Sequence, residues 1–85
     1  MYRVLLRPPA QKFLRKLRDK ILATRLVEAM RGLANDPRPP GCDKLAGLED
    51  LYRIRVGDYR IVYQIRDQAL LVLVAKIGHR REVYR

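Results

Sequence analysis

Hydrophobic residues in the first half of the chain recur mainly with the spacing of an α-helix. The opening stretch, Tyr2–Leu6, is typical of a short β-strand that ends at Pro8 and Pro9, because proline cannot donate a backbone hydrogen bond. Apolar residues then form two helical stripes, at positions 10, 13, 14 and 17 and at positions 22, 26, 29, 30 and 33. Asp19 can cap the second helix, and the sequence 35–37, Asn-Asp-Pro, ends it. This half predicts a strand followed by a helical hairpin.

The second half changes to the two-residue alternation of β-strands. After a loop rich in proline and glycine over residues 37–47, strands are predicted over Leu51–Val56, Tyr59–Ile65 and Leu70–Ile77. The chain therefore predicts one α+β domain over residues 1–85. Its N-terminal strand and a three-stranded antiparallel meander form a four-stranded antiparallel sheet, with the two helices on one face.

A two-residue turn with glycine first, Gly57-Asp58, fixes the pairing of the first two meander strands as a type II′ hairpin. Counting back from the turn sets Arg55 opposite Arg60, and alternation then assigns each side chain to a face. The apolar face is expected to hold Tyr52, Ile54, Val56, Tyr59, Ile61 and Tyr63. The other face is expected to hold Arg53, Arg55, Arg60, Val62 and Gln64.

The charge of the chain indicates a function for the face that holds the arginines. Lys and Arg number 19 against 9 Asp and Glu, a formal net charge of +10, and both halves of the chain are positive. Such a domain attracts polyanions, although a merely soluble basic surface would have the same composition. Two arginines directly across a strand pair repel each other, whereas a phosphate between them is held by both. We therefore predict that this hairpin binds the phosphate backbone of RNA; the alternative is a solvated sheet face.

Other function classes have weaker support. The single cysteine, Cys42, excludes an internal disulfide and fits a reducing cytoplasm, and no apolar run approaches the roughly 18 residues of a membrane span. One histidine and one cysteine give no ligand set for a metal, so neither a metal nor another cofactor is expected. His79 and Tyr84, near the C-terminus, supply groups that can transfer a proton or stack on a base. Each of them could equally be an ordinary turn or edge residue.

Three segments resemble the RelE branch of the RelE/ParE toxin superfamily: residues 45–48, residues 52–63 (YRIRVGDYRIVY) and residues 77–84 (IGHRREVY). The resemblance covers essentially the whole chain. It implies the toxin of a type II toxin–antitoxin pair, an endoribonuclease that cleaves mRNA in the ribosomal A site without a metal ion. It also implies contact with ribosomal RNA and a cognate antitoxin as partner. Whether the toxin–antitoxin complex binds operator DNA is left open by the sequence.

The resemblance also assigns roles to residues. Arg60 matches an arginine that stabilises the transition state, Arg80 a second arginine near the scissile phosphate, and Tyr84 a terminal tyrosine that stacks or assists proton transfer. Arg53 and Arg55 match a basic pair that is often lysine in relatives. The predicted catalytic set is Arg55, Arg60, His79, Arg80 and Tyr84. The predicted phosphate-binding set is Lys44, Arg53, Arg55 and Arg81.

One departure from the family bears on the mechanism. Arginine stays protonated because its pKa exceeds about 12, so Arg53 and Arg55 can bind phosphate but are poor bases. Either His79 transfers the proton, or the ribosome orients the 2′-hydroxyl and catalysis is electrostatic. Two other functions stay open: a ParE-like inhibitor of DNA gyrase without nuclease activity, and a degenerate homologue that only binds RNA or its antitoxin.

Overall fold

Two helices cover one face of a β-sheet. The computed structural model describes residues 1–45, 47 and 50–79. Within these residues the strands are β1 (Arg3–Leu6), β2 (Asp43–Lys44), β3 (Leu51–Val56), β4 (Tyr59–Arg66) and β5 (Leu71–His79). The helices are α1 (Pro8–Lys16) and α2 (Lys20–Asn35), and a 3-10 turn over Asp67–Ala69 joins β4 to β5. This part of the chain contains no helix long and apolar enough to cross a membrane.

The helix boundaries follow the predicted signals. Prolines occupy the first positions of α1, where their missing N–H groups would have no helical partner. The Asp19 carboxylate accepts a hydrogen bond of 3.0 Å from the Leu22 N–H, which confirms the predicted cap of α2.

The sheet has five strands in the described part of the chain, in the order β1-β5-β4-β3-β2, and this corrects the predicted four-stranded antiparallel sheet. The antiparallel meander β3-β4-β5 is confirmed, but β1 pairs with β5 in parallel. The Tyr2 N–H donates a hydrogen bond of 2.8 Å to the Ala34 carbonyl, so α2 ends beside the start of β1. The helical hairpin thus returns the chain to the end of the sheet where it began, although the next strand pairs at the opposite edge. β3 and β5 then run in the same direction as β1.

The extra strand, β2, lies within the predicted loop. Its two residues pair with β3, Asp43 opposite Arg53 and Lys44 opposite Tyr52. The Pro39 carbonyl accepts from the Cys42 N–H and turns the chain toward the sheet edge. A segment rich in proline and glycine thereby adds an edge strand.

The core fills the space between the helices and one face of the sheet, as predicted. Tyr63 is fully buried at its centre, and its hydroxyl donates a hydrogen bond of 2.8 Å to the Pro37 carbonyl. Burial raises the pKa of this hydroxyl. The buried apolar residues of this cluster are Ala10, Leu26, Met30, Leu33, Tyr52, Ile54, Val56, Ile61, Tyr63, Ile65, Val72, Val74 and Ile77.

A polar cluster fixes the loop after α2 against the 3-10 turn. Both Arg38 terminal nitrogens donate to the Asp67 carboxylate, at 2.9 and 3.2 Å, and the Tyr2 hydroxyl donates to the same carboxylate at 2.6 Å. Hydrogen bonds from Arg38 and then Tyr2 hold the pKa of Asp67 down at about 2. The Arg38 guanidinium also lies over the Tyr52 ring, 5.2 Å from its centroid. The cluster joins β1, the loop and the β4–β5 connection at one end of the sheet.

Candidate nucleic-acid interface

The turn between β3 and β4 has the backbone conformation that its sequence predicts. Gly57 has φ +60°, and in the described part of the chain only Asp50 and Leu70 among non-glycine residues have positive φ, so Asp58 does not. Positive φ at the first central residue alone is the pattern of a type II′ turn. Because the turn fixes the register, Val56 lies opposite Tyr59 and Arg55 lies opposite Arg60, as predicted.

The two faces of the hairpin differ as the alternation predicts. The apolar side chains belong to the core, and Arg53, Arg55, Arg60 and Val62 share the side of the sheet opposite the helices, hereafter the arginine face. Across the next strand pair, Arg60 lies opposite Gly78, which adds no side chain. The register therefore assigns three arginine side chains to one face of the sheet.

The three arginines have different surroundings. Arg55 is exposed, and its Nε donates to the Gly57 carbonyl at 3.2 Å. Arg53 Nε donates to the Asp43 carboxylate at 3.4 Å, so a phosphate at Arg53 competes with a carboxylate. Arg60 is only 8% exposed, and one of its terminal nitrogens donates to the Tyr59 carbonyl at 3.4 Å. Since water screens charges less at a buried site, an anion that reaches Arg60 would be attracted more strongly than at the exposed Arg55.

The register also assigns Lys76 to the arginine face, which regular alternation along the strand does not predict. The register between β4 and β5 shifts at Val62 and Tyr63: Tyr63 lies opposite Val74, but Val62 lies opposite Lys76. Ala75 is thus the extra residue of a β-bulge. In a regular ladder, Ala75 would lie opposite Val62, and Lys76 would lie opposite Ile61 on the core side. The bulge instead pairs the exposed Lys76 with Val62, which assigns it to the arginine face, and turns Ile77 into the core. Because β1 pairs with β5 only as far as Val74, Lys76 lies at an open edge of β5 and also borders the groove between α1 and β5.

Two predicted site residues lie on the other side of the sheet. His79 is opposite Tyr59, and their rings meet edge to face with centroids 5.5 Å apart, on the side where Tyr59 also contacts Phe13. Lys44 is opposite Tyr52, a core residue, so its register assigns it to that same side. Paired residues share a face, and a shift of one position changes the face. The sheet therefore does not bring His79 or Lys44 together with Arg55 and Arg60.

The remaining predicted residues, Arg80, Arg81 and Tyr84, lie outside the described residues. Within residues 1–45, 47 and 50–79, no three His, Cys, Asp or Glu side chains are grouped so that they could hold a metal ion. The chemistry available on the arginine face is that of fixed cations, which bind phosphate oxygens and stabilise developing negative charge.

Comparisons with known proteins find relatives over nearly the whole chain. Residues 4–84 match the family model described as the ParE toxin of a type II toxin–antitoxin system. Toxin RelG of Mycobacterium tuberculosis is 31% identical over 84 residues, 99% of this chain and 97% of the relative.

Solved structures extend the similarity to the fold. The toxin in the intact RelBE toxin–antitoxin complex of E. coli superposes with a TM-score of 0.79 at 30% identity, covering 93% of this chain and 96% of that one. The archaeal RelE–RelB complex of Pyrococcus horikoshii OT3 gives a TM-score of 0.80 at 31% identity, with coverage of 93% and 94%.

Proposed function

Since this chain belongs to the RelE/ParE superfamily of type II toxin–antitoxin toxins, we propose that it is a ribosome-dependent endoribonuclease that cleaves mRNA in the A site. The observation that supports this function best is the arginine face. Arg55 and Arg60 are directly opposed and Arg53 is beside them, an arrangement that a folded sheet alone would disfavour. The paired guanidinium groups fit a phosphodiester, and no metal ion enters the proposed reaction.

The proposed reaction is an internal phosphoryl transfer. The ribose 2′-oxygen attacks the adjacent phosphorus, and the bond from phosphorus to the 5′-oxygen of the next nucleotide breaks. The products are a cyclic phosphate and a free 5′-hydroxyl. One proton leaves the 2′-hydroxyl and one is added to the departing oxygen. Arg55 and Arg60 stabilise the charge on the phosphate oxygens, each transition-state hydrogen bond contributing about 3 kcal/mol.

Proton transfer is the step that the arginines cannot perform. A guanidinium does not give up its proton near neutral pH, so Arg53, Arg55 and Arg60 act by charge and orientation. The position of His79 on the helix side of the sheet favours electrostatic catalysis, with the 2′-hydroxyl oriented by the ribosome, over catalysis by His79. By family resemblance we propose Arg80 and Tyr84 as further catalytic groups and Arg81 as a phosphate-binding residue.

We also propose that a cognate antitoxin binds this toxin, as RelB does in the solved complexes of relatives. The helical side offers two open apolar grooves for a protein partner. One, of about 500 Å³, runs between α1 and the end of β5; Phe13 and Ile77 line it, with lysines such as Lys76 among its other lining residues. The other, of about 460 Å³, lies beside β1 and is lined by residues such as Val4 and Met30. No acidic residue lines either groove in the described part of the chain, which suits an acidic partner.

The decisive assay is mRNA cleavage on programmed ribosomes. Wild-type toxin is expected to cut mRNA in the A site, and the Arg60→Ala and Tyr84→Phe variants are expected to cut it at least about a hundredfold more slowly. Equal cleavage by wild type and both variants would refute the site. RNA binding without cleavage by the wild type would instead identify a degenerate homologue.

A second function has one observation in its favour: the matching family model is described by ParE rather than RelE. A ParE-like toxin would inhibit DNA gyrase by protein contact and would have no use for an arginine face. Inhibition of supercoiling by purified toxin, with intact mRNA on programmed ribosomes, would reverse the ranking of the two functions.

A further inference from the structure

The turn between β3 and β4 is bordered by a cation from the helical layer as well as by one from the sheet. Arg25, an exposed residue of α2, reaches this turn. A methyl group added to Gly57 would lie 3.5 and 3.6 Å from the two terminal nitrogens of Arg25 and 3.9 Å from its central guanidinium carbon. The guanidinium of Arg25 therefore lies beside the turn, within contact range of the space that a side chain at position 57 would occupy.

Arg55 approaches the same glycine from the strand. Its Nε donates to the Gly57 carbonyl, so two guanidinium groups from different layers border one turn residue. Asp58 is the next residue along, yet within the described residues neither Arg25 nor Arg55 forms an ion pair with a carboxylate. Two cations held at one turn without a carboxylate repel each other. An anion bound between them attracts both, so that the net interaction becomes favourable.

Contacts within the described part of the protein do not explain the position of Arg25. Among the described residues it makes no hydrogen bond, salt bridge or cation–π contact, and its side chain is exposed. Loss of its charge therefore leaves no buried group without a partner, and we expect only a small effect on stability. The position of Arg25 at the turn is better explained by a ligand.

We propose that Arg25 is a further phosphate-binding residue, which extends the arginine face over the Gly57–Asp58 turn to the helical layer. The inference rests on the proposed RNA substrate and adds a contact on the far side of the hairpin. The RNA backbone then crosses the hairpin tip, with Arg55 on one side and Arg25 on the other. Glycine at position 57 suits this path, because the turn needs positive φ and a longer side chain would displace the Arg25 guanidinium.

The test compares Arg25→Gln with a matched control, Arg31→Gln. Arg31 is also an exposed arginine of α2, but it lines the groove beside β1, away from the hairpin tip. Affinity for a fluorescein-labelled single-stranded RNA is measured by anisotropy over a salt series, with thermal unfolding as a check on folding. Arg25→Gln is expected to weaken binding about fivefold at low salt and to reduce the log–log salt slope by about 0.7.

The control and a conservative variant complete the test. Arg31→Gln is expected to match wild type, and Arg25→Lys is expected to keep the salt slope because it keeps the charge. Wild-type binding with no difference between Arg25→Gln and Arg31→Gln would overturn the Arg25 inference alone. Wild-type toxin that neither binds nor cleaves RNA would refute the proposed function, and the inference with it.

Discussion

Arg55 and Arg60 lie directly opposite each other on β3 and β4, with both side chains on the face that the helices leave uncovered. Like charges at directly opposed positions destabilise a strand pair by a few tenths of a kcal/mol to about 1 kcal/mol. The same two charges stabilise a phosphate between them. If Arg55 serves ligand binding at the expense of folding stability, its substitution should therefore change stability and binding in opposite directions.

The first prediction uses this opposition. Arg55→Gln is expected to raise the free energy of unfolding by about 0.2–1 kcal/mol, because it removes the repulsion with Arg60. It is also expected to weaken RNA binding and to slow cleavage. Urea denaturation and RNA anisotropy measure the two effects, and Arg31→Gln serves as the control that should change neither. A loss of stability that accompanies weaker binding would indicate instead that Arg55 is a structural residue.

The second prediction concerns Lys76, which the β-bulge turns to the arginine face. Lys76→Gln is expected to reduce the log–log salt slope of single-stranded RNA binding by about 0.7, because one phosphate contact is lost. Lys12 on α1 lines the same groove beside β5 but lies in the helical layer, so Lys12→Gln is the matched control. If the two variants gave the same slope, Lys76 would not contact the RNA backbone.

The local parts of this fold and site could be predicted from the sequence. Gly57 sets the turn type, the turn sets the register, and the register sets Arg55 opposite Arg60. Each of these steps depends on residues within one hairpin, where backbone geometry leaves few alternatives. The same reasoning identified the cap at Asp19 and the apolar face that packs on the helices.

The parts that depend on distant pairing could not be predicted. The parallel pairing of β1 with β5 joins the two ends of the described chain, and no local pattern specifies it. Lys76 would be assigned to the core side by regular alternation, and only the extra residue at Ala75 reverses its face. The predicted grouping of His79 with the arginines rested on the proton-transfer chemistry of imidazole, and that of Lys44 on its charge. Neither prediction had a register to assign the side chain to a face.

The third prediction follows from the position of His79. Because His79 lies opposite Tyr59 on the helix side, we expect His79→Gln to keep the cleavage rate on programmed ribosomes within about threefold of wild type. Loss of a general base would instead slow cleavage by about a hundredfold or more. The pH dependence of the cleavage rate should also be unchanged. A loss of a hundredfold or more, with the acidic limb of the pH profile removed, would restore His79 as the proton-transfer residue.

The fourth prediction concerns the pH dependence of stability. The folded protein lowers the pKa of Asp67 to about 2, so its pairing with Arg38 stabilises the fold above the unfolded pKa of about 4 and is lost as pH falls from about 4 to about 2. Asp67→Asn should therefore lower Tm at neutral pH, and its difference from wild type should close over that range. Asp58→Asn removes an equal charge that forms no ion pair within the described residues, so its Tm should follow wild type. A constant gap between Asp67→Asn and wild type down to pH 2 would mean that the carboxylate's charge does not stabilise this cluster.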